Sequence, residues 1–288
     1  MTRKPKLTRK RERYVKERAS GVLVGSPLTY PAGQMERYEK AIGKLTRAMF
    51  KEYAKELAAV FRQNEVLTIA QDASISSQAR ILLNQLRRKF ERLFARNAPV
   101  IVENIIGGID KASQASLGES LRKLSGGITL KTDAMPAALQ QAVKASIAEN
   151  VTLIKSIASQ YHTQIEGAVM RSLQPGGRGM ADVRDALDKY QGITDRRKDL
   201  IARDQTRKIT TAINIERSKS AGISKFKWLH SGGGSEPREL HVELSGQVFS
   251  YDDPPVIDDR TGERGFPGQL INCRCQAVPV LEWGDEDE

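Results

Sequence analysis

Apolar residues recur at three- and four-residue intervals through most of the first 220 positions, the spacing that gathers them on one face of a helix. Met35–Phe61 places Ile42, Leu45, Met49, Tyr53, Leu57 and Phe61 in that rhythm. Ala79–Arg96 puts Leu82, Leu86, Phe90, Leu93 and Phe94 on one side and Arg80, Arg87, Arg88, Lys89, Arg92 and Arg96 on the other. The longest seam follows: Leu139, Val143, Ile147, Val151, Ile154, Ile157, Tyr161, Ile165 and Val169. Asp133 is placed to cap this helix, Pro136 suits its first turn, and Pro175–Gly177 stops it. A shorter helix is expected over Met180–Tyr190. A further one starts at a Thr194 or Asp195 cap, carries Leu200, Ile201, Ile209, Ile213 and Ile215, and ends at Gly222.

Beyond Gly222 the texture changes. FKWLH, HVELSGQVFSY and QAVPVLEW are short β-type runs separated by SGGGSEP and by a long Gly/Pro/Asp loop. At the other end, Ser20–Gly33 is punctuated by Gly and Pro and reads as a linker. The fold class expected is α+β: a mainly helical N-terminal body with long helices, then a small C-terminal α+β module with short strands. The expected division is a basic arm and linker at 1–33, a helical domain at 34–190, the module at 191–283 and an acidic tail at 284–288.

Charge adds a direction to this picture. The chain has 46 Lys and Arg against 35 Asp and Glu, a formal net charge of +11 over 288 residues. Such a balance favours anionic partners. It is concentrated in Arg3, Lys4, Lys6, Arg9, Lys10, Arg11 and Arg13, which make the N-terminal arm the expected nucleic-acid-binding element, as double-stranded DNA demands. The arm reads equally as a solubilising tail, and the basic face of 79–96 reads more as solvated surface than as a binding site. No run approaches the roughly 18 apolar residues of a membrane span, and no apolar segment follows the basic start, so neither a membrane anchor nor a secretory signal is expected.

Candidate chemistry collects in His241–Cys275, which holds one of three histidines and both cysteines. Side chains at i and i+2 of an extended strand share a face, so Cys273 and Cys275 could offer two thiolates to zinc, with His241 as a third ligand. Structural zinc sites usually use wider cysteine spacing and four protein ligands. His241-Val242-Glu243 followed by Pro267 and the cysteines also approaches the zinc deaminase signature, but the cysteines stand one residue too close. A Cys–His nucleophile pair lacks a third group in the sequence. A disulfide across one residue is strained, and two such cysteines point to a reducing compartment. The reading adopted is packing: cysteine behaves as a small buried hydrophobe, Gly246 and Pro267-Gly268 make turns, Trp228 and Phe249 anchor a core, and Arg238 and His241 bond to loop carbonyls or Asp side chains. On that reading no cofactor, no metal and no enzymatic activity is expected.

Four separated stretches carry a family resemblance: NVTLIKSIASQYH (150–162), LIARDQTRK (200–208), GISKFKWLHS with PRELHVELSGQVF, and PGQLINCRC (267–275). In this order they resemble phage Mu F-like minor head proteins, over about 150–283. The resemblance implies a head-morphogenesis role in a tailed phage or prophage, in few copies, at the portal vertex of the virion head, after assembly in the host cytoplasm. It implies the portal protein as partner, with the major capsid or scaffolding protein and double-stranded DNA as further candidates. It also marks Trp228, Arg238, His241, Gly246, Phe249, Pro267, Gly268, Asn272, Cys273, Arg274 and Cys275 as the module's structural signature. Some relatives place a histidine just before the NCRC motif; Leu270 and Ile271 stand there in this chain. Rival readings are an internal DNA-binding head protein and a metal-dependent enzyme or toxin built on the module.

Overall fold

A computed structural model describes residues 21–66, 74–124, 137–232 and 236–283. The elements run β1 (Gly21–Val24), α1 (Ala32–Val66), α2 (Ile75–Leu124), α3 (Ala137–Ser172), α4 (Met180–Ser220), β2 (Lys225–Leu229), α5 (Glu239–Glu243), β3 (Val248–Ser250), β4 (Val256–Asp258), β5 (Glu263–Arg264) and β6 (Gln276–Trp283). Long helices followed by short antiparallel strands make the fold α+β. The chain divides into two compact units. One gathers stretches within Met1–Gln34, Ile106–Ser146 and Asp204–Glu288, the other Met35–Ile105 and Ile147–Arg203. The helical body expected at 34–190 and the module expected at 191–283 therefore interleave, because α2, α3 and α4 each pass residues into both units.

The second unit is all helical. Most of its core follows the three-and-four spacing: Ile42, Met49, Tyr53, Leu57 and Phe61 of α1, Leu86, Phe90 and Phe94 of α2, and Ile154, Ile157, Tyr161, Ile165 and Val169 of α3 are buried, while Leu83 takes the inward place expected of Leu82, which is only half-buried. Tyr53 is its aromatic centre, with ring centroids 5.8 Å from Phe90 and 5.3 Å from Tyr161. Its hydroxyl is 3.1 Å from His162 Nδ1. Tyr38 donates to Asn150 Oδ1 at 2.7 Å, tying α1 to α3. The cationic side chains of α2 at 80, 87, 88, 89, 92 and 96 are exposed, with Lys89 paired to Glu52.

The first unit holds a four-stranded antiparallel sheet of order β1-β6-β2-β3 and a separate β4-β5 hairpin. Phe226 and Trp228, at 0% exposure, put their side chains on the buried face of β2, where alternate residues share a side. Leu117 and Leu121 of α2, Ile223, Leu244, Tyr251, Ile257, Cys273 and Cys275 complete that core.

Several sequence expectations change here. Ser20–Gly33, read as a linker, supplies β1, whose partner β6 lies at the far end of the sequence. HVEL, read as a strand, is the helical turn α5. Alternation of apolar and polar residues misleads there because the side chain that turns inward is His241 while Val242 is exposed. Met180–Tyr190 and the helix after it are one helix, α4. Thr194 does not cap; its hydroxyl donates back to the Tyr190 carbonyl at 2.7 Å, a bond made inside a continuing helix. Helix α2 also continues past Arg96 and through Pro99. The Asp133 cap and Pro136 fall outside the described residues, as do the arm and the acidic tail. FKWL, VFS and QAVPVLEW are strands as expected, and Gly222 ends α4 with φ 78°.

Candidate functional site

The PGQLINCRC loop is held by four side chains from three parts of the chain. Asn272 takes a left-handed conformation, φ 60°, which asparagine tolerates better than most side chains. That turn points its backbone N–H at Asp204 Oδ1, 3.1 Å away. Asp204 is buried on α4 and pairs through its other oxygen with Lys208, one turn on, at 3.3 Å. Thr211, two turns along from Asp204, donates to the Pro267 carbonyl at 2.8 Å. The Tyr30 hydroxyl donates to the Cys275 carbonyl. From the other side, Arg238 Nη2 donates to the Ile271 carbonyl at 3.0 Å.

Gly268 stands where no other residue fits. Its φ is 87°, and a Cβ built on it would lie 2.1 Å from Tyr30 Oη and 2.8 Å from Thr211 Oγ1. Its N–H donates to Cys273 Sγ at 3.3 Å. Gly246, φ 89°, turns the chain between α5 and β3, and its N–H donates to the Trp228 carbonyl at 2.8 Å.

Inside this frame three potential ligands meet. His241, Cys273 and Cys275 are each 2–3% exposed. Their donor atoms all lie within 4.8 Å of one another. His241 Nδ1 is 3.5 Å from Cys273 Sγ and 3.7 Å from Cys275 Sγ. Nε2 is 3.0 Å from the Ile257 carbonyl. The Trp228 ring meets the imidazole edge-on, centroids 5.2 Å apart. The two thiols share one environment but not one proton affinity. A hydrogen bond from Cys275 holds Cys273 well below the usual thiol range, and the same contact together with burial pushes Cys275 up.

The expected signature residues thus fall together, in differing roles. Phe249 packs tilted against Phe226, centroids 5.9 Å apart, and Arg274 is exposed between the two buried cysteines. The packing reading is right about burial: both cysteines belong to the core around Trp228. It did not foresee that the histidine and both sulfurs converge on one point. Asp204, Thr211, Tyr30 and Ile257 were not singled out. Asp204 does sit within the quoted LIARDQTRK, so its motif carried a signal. Tyr30, in the presumed linker, carried none. The expected DNA-binding residues Arg3, Lys4, Lys6, Arg9, Lys10, Arg11 and Arg13 lie outside the described residues.

A small α+β module whose cysteine loop is pinned by a long helix and by Tyr30 of the segment after β1 is the class that fold and site define. Residues 163–278 match the model of the family described as phage Mu protein F like protein, and this segment is similar to that family. An uncharacterized protein of Haemophilus influenzae is 36% identical over 144 residues, half of this chain and 30% of the relative. The uncharacterized protein YqbB of Bacillus subtilis is 31% identical over 104 residues, 30% of this chain and 34% of the relative. The chain spans about a third of the length of these curated relatives. No solved structure matches it.

Proposed function

We propose that the protein is a minor head-morphogenesis component of a tailed phage or prophage, docked at the portal vertex and acting in head assembly or in DNA packaging and delivery. The likeness of residues 163–278 to the Mu F family carries this reading. It is strengthened by the way the motifs behind that likeness hold one another: Asp204 of LIARDQTRK grips Asn272 of LINCRC, and Arg238 of PRELH grips Ile271. Residues that serve to fix a loop suit a scaffold that presents a surface to other head proteins, and the role proposed is not enzymatic. No helix among the described residues is long and apolar enough to cross a membrane. Quantitative mass spectrometry of purified particles tests the proposal. A few copies per particle are expected; abundance matching the major capsid protein, or absence from proheads and virions alike, contradicts it.

A second reading is favoured by charge. A net charge of +11 and the exposed cationic face of α2 suit contact with packaged double-stranded DNA. It is compatible with a place at the portal, where DNA enters and leaves.

A further inference from the structure

We propose that His241, Cys273 and Cys275 form a zinc site, with His241 bound through Nδ1 and a water completing a tetrahedron. The tautomer is the first argument. A carbonyl oxygen only accepts, so Nε2, 3.0 Å from Ile257 O, carries the ring proton. Nδ1 is then a bare lone pair facing two sulfurs. Histidine ligands are commonly oriented this way, by a carbonyl or carboxylate that takes the other ring N–H.

Distance is the second argument. Zinc–sulfur and zinc–nitrogen bonds of about 2.3 and 2.0 Å at a tetrahedral angle place nitrogen and sulfur about 3.5 Å apart. The two separations here are 3.5 and 3.7 Å. One lone pair can accept a hydrogen bond from one thiol; it has no use for a second at nearly equal range. A single ion between the three atoms uses both sulfurs.

Charge and surroundings are the third. With both sulfurs bound as thiolates and the histidine neutral, a divalent ion gives a buried site of zero net charge. The sulfurs lie among N–H donors: Gly268 N–H bonds Cys273 Sγ. Trp228, whose ring meets the imidazole of His241 edge-on, keeps its Nε1 buried with no hydrogen-bond acceptor. Two sulfurs and one imidazole select zinc over calcium or magnesium, which take oxygen ligands. Among the described residues no fourth His, Cys, Asp or Glu joins the group. The ion would join α5 to the chain entering β6, at the centre of a module whose strands are short.

The full-length protein, produced in zinc-supplemented cells and purified without chelator, tests this by elemental analysis. About one zinc per chain is expected. After zinc removal and titration with cobalt(II), the protein should show the intense visible bands of tetrahedral cobalt and a sulfur-to-cobalt charge-transfer band in the near ultraviolet. His162→Gln should retain both properties, and Cys273→Ser/Cys275→Ser should lose both. If the double variant does not fold, the cobalt spectrum of the unmodified chain decides alone. Zinc below about a tenth of an equivalent together with no cobalt bands would overturn the site.

Discussion

The backbone N–H of Asn272 is held by the carboxylate of Asp204, 68 residues earlier, at 3.1 Å. This bond makes the cysteine loop a dependant of α4. The left-handed turn at Asn272 aims the N–H at the helix, and the burial of Asp204 shelters the bond from water. Asp204→Ala leaves that N–H without its acceptor and Lys208 without its partner, and should cost about 1–3 kcal/mol. Asp204→Asn keeps an acceptor oxygen and should cost less. Urea unfolding of the two variants checks the order.

Gly268→Ala should be the more damaging change. Alanine there meets two separate obstacles, the left-handed backbone and the Tyr30 and Thr211 oxygens. Strain of about 1–3 kcal/mol from each source predicts a variant that is largely insoluble or melts far below the parent. Tyr30→Phe in the same chain removes the nearest oxygen but leaves Thr211 Oγ1 and the left-handed backbone, so it should recover only a part of the loss. Thermal melts of the single and double variants measure this.

The helical unit should lose stability in mild acid through His162. The ring is buried against Tyr53, with Glu166 3.3 Å from Nε2 and with Arg87 and Glu91 facing it. Burial lowers its pKa and outweighs the opposing pull of Glu166. The unfolded chain, with an ordinary value near about 6.5, then binds the proton more readily than the folded one. Its contribution is complete above that value and is lost as pH falls through the lower, folded one. Unfolding free energies at pH 7.5 and 5.5 should fall for the parent and change less for His162→Gln.

Binding to duplex DNA should be indifferent to sequence and steep in salt, with a log–log slope of about −0.9 per phosphate contact. Deleting residues 2–18 removes the densest cationic run and should flatten that slope. Equal binding by full-length and shortened protein would assign the arm to another partner.

The helices were legible because burial on one face imposes its own spacing: Tyr53, Phe90 and Ile165 could be placed inside from sequence alone. What escaped was non-local. Val22 and Leu23 carry too little pattern to announce a strand whose register is set by Glu282 and Leu281. His241 lay in a run that alternates like a strand, and only packing against Trp228 shows it as the inward residue of a helical turn. Thr194 looked like a cap because capping and back-bonding use the same hydroxyl. The pairing of Asp204 with Asn272 rests on tertiary geometry; the sequence showed both residues within quoted motifs but not that they meet.

The central claim is a place at the portal vertex, and cryo-electron microscopy of virions, reconstructed at that vertex without imposed capsid symmetry, tests it most directly. Density that accepts the module with β1 through β6, present in a few copies beside the portal ring, is the result expected. A portal vertex resolved well enough to trace side chains, with every chain accounted for and this one found elsewhere in the particle or not at all, would contradict it.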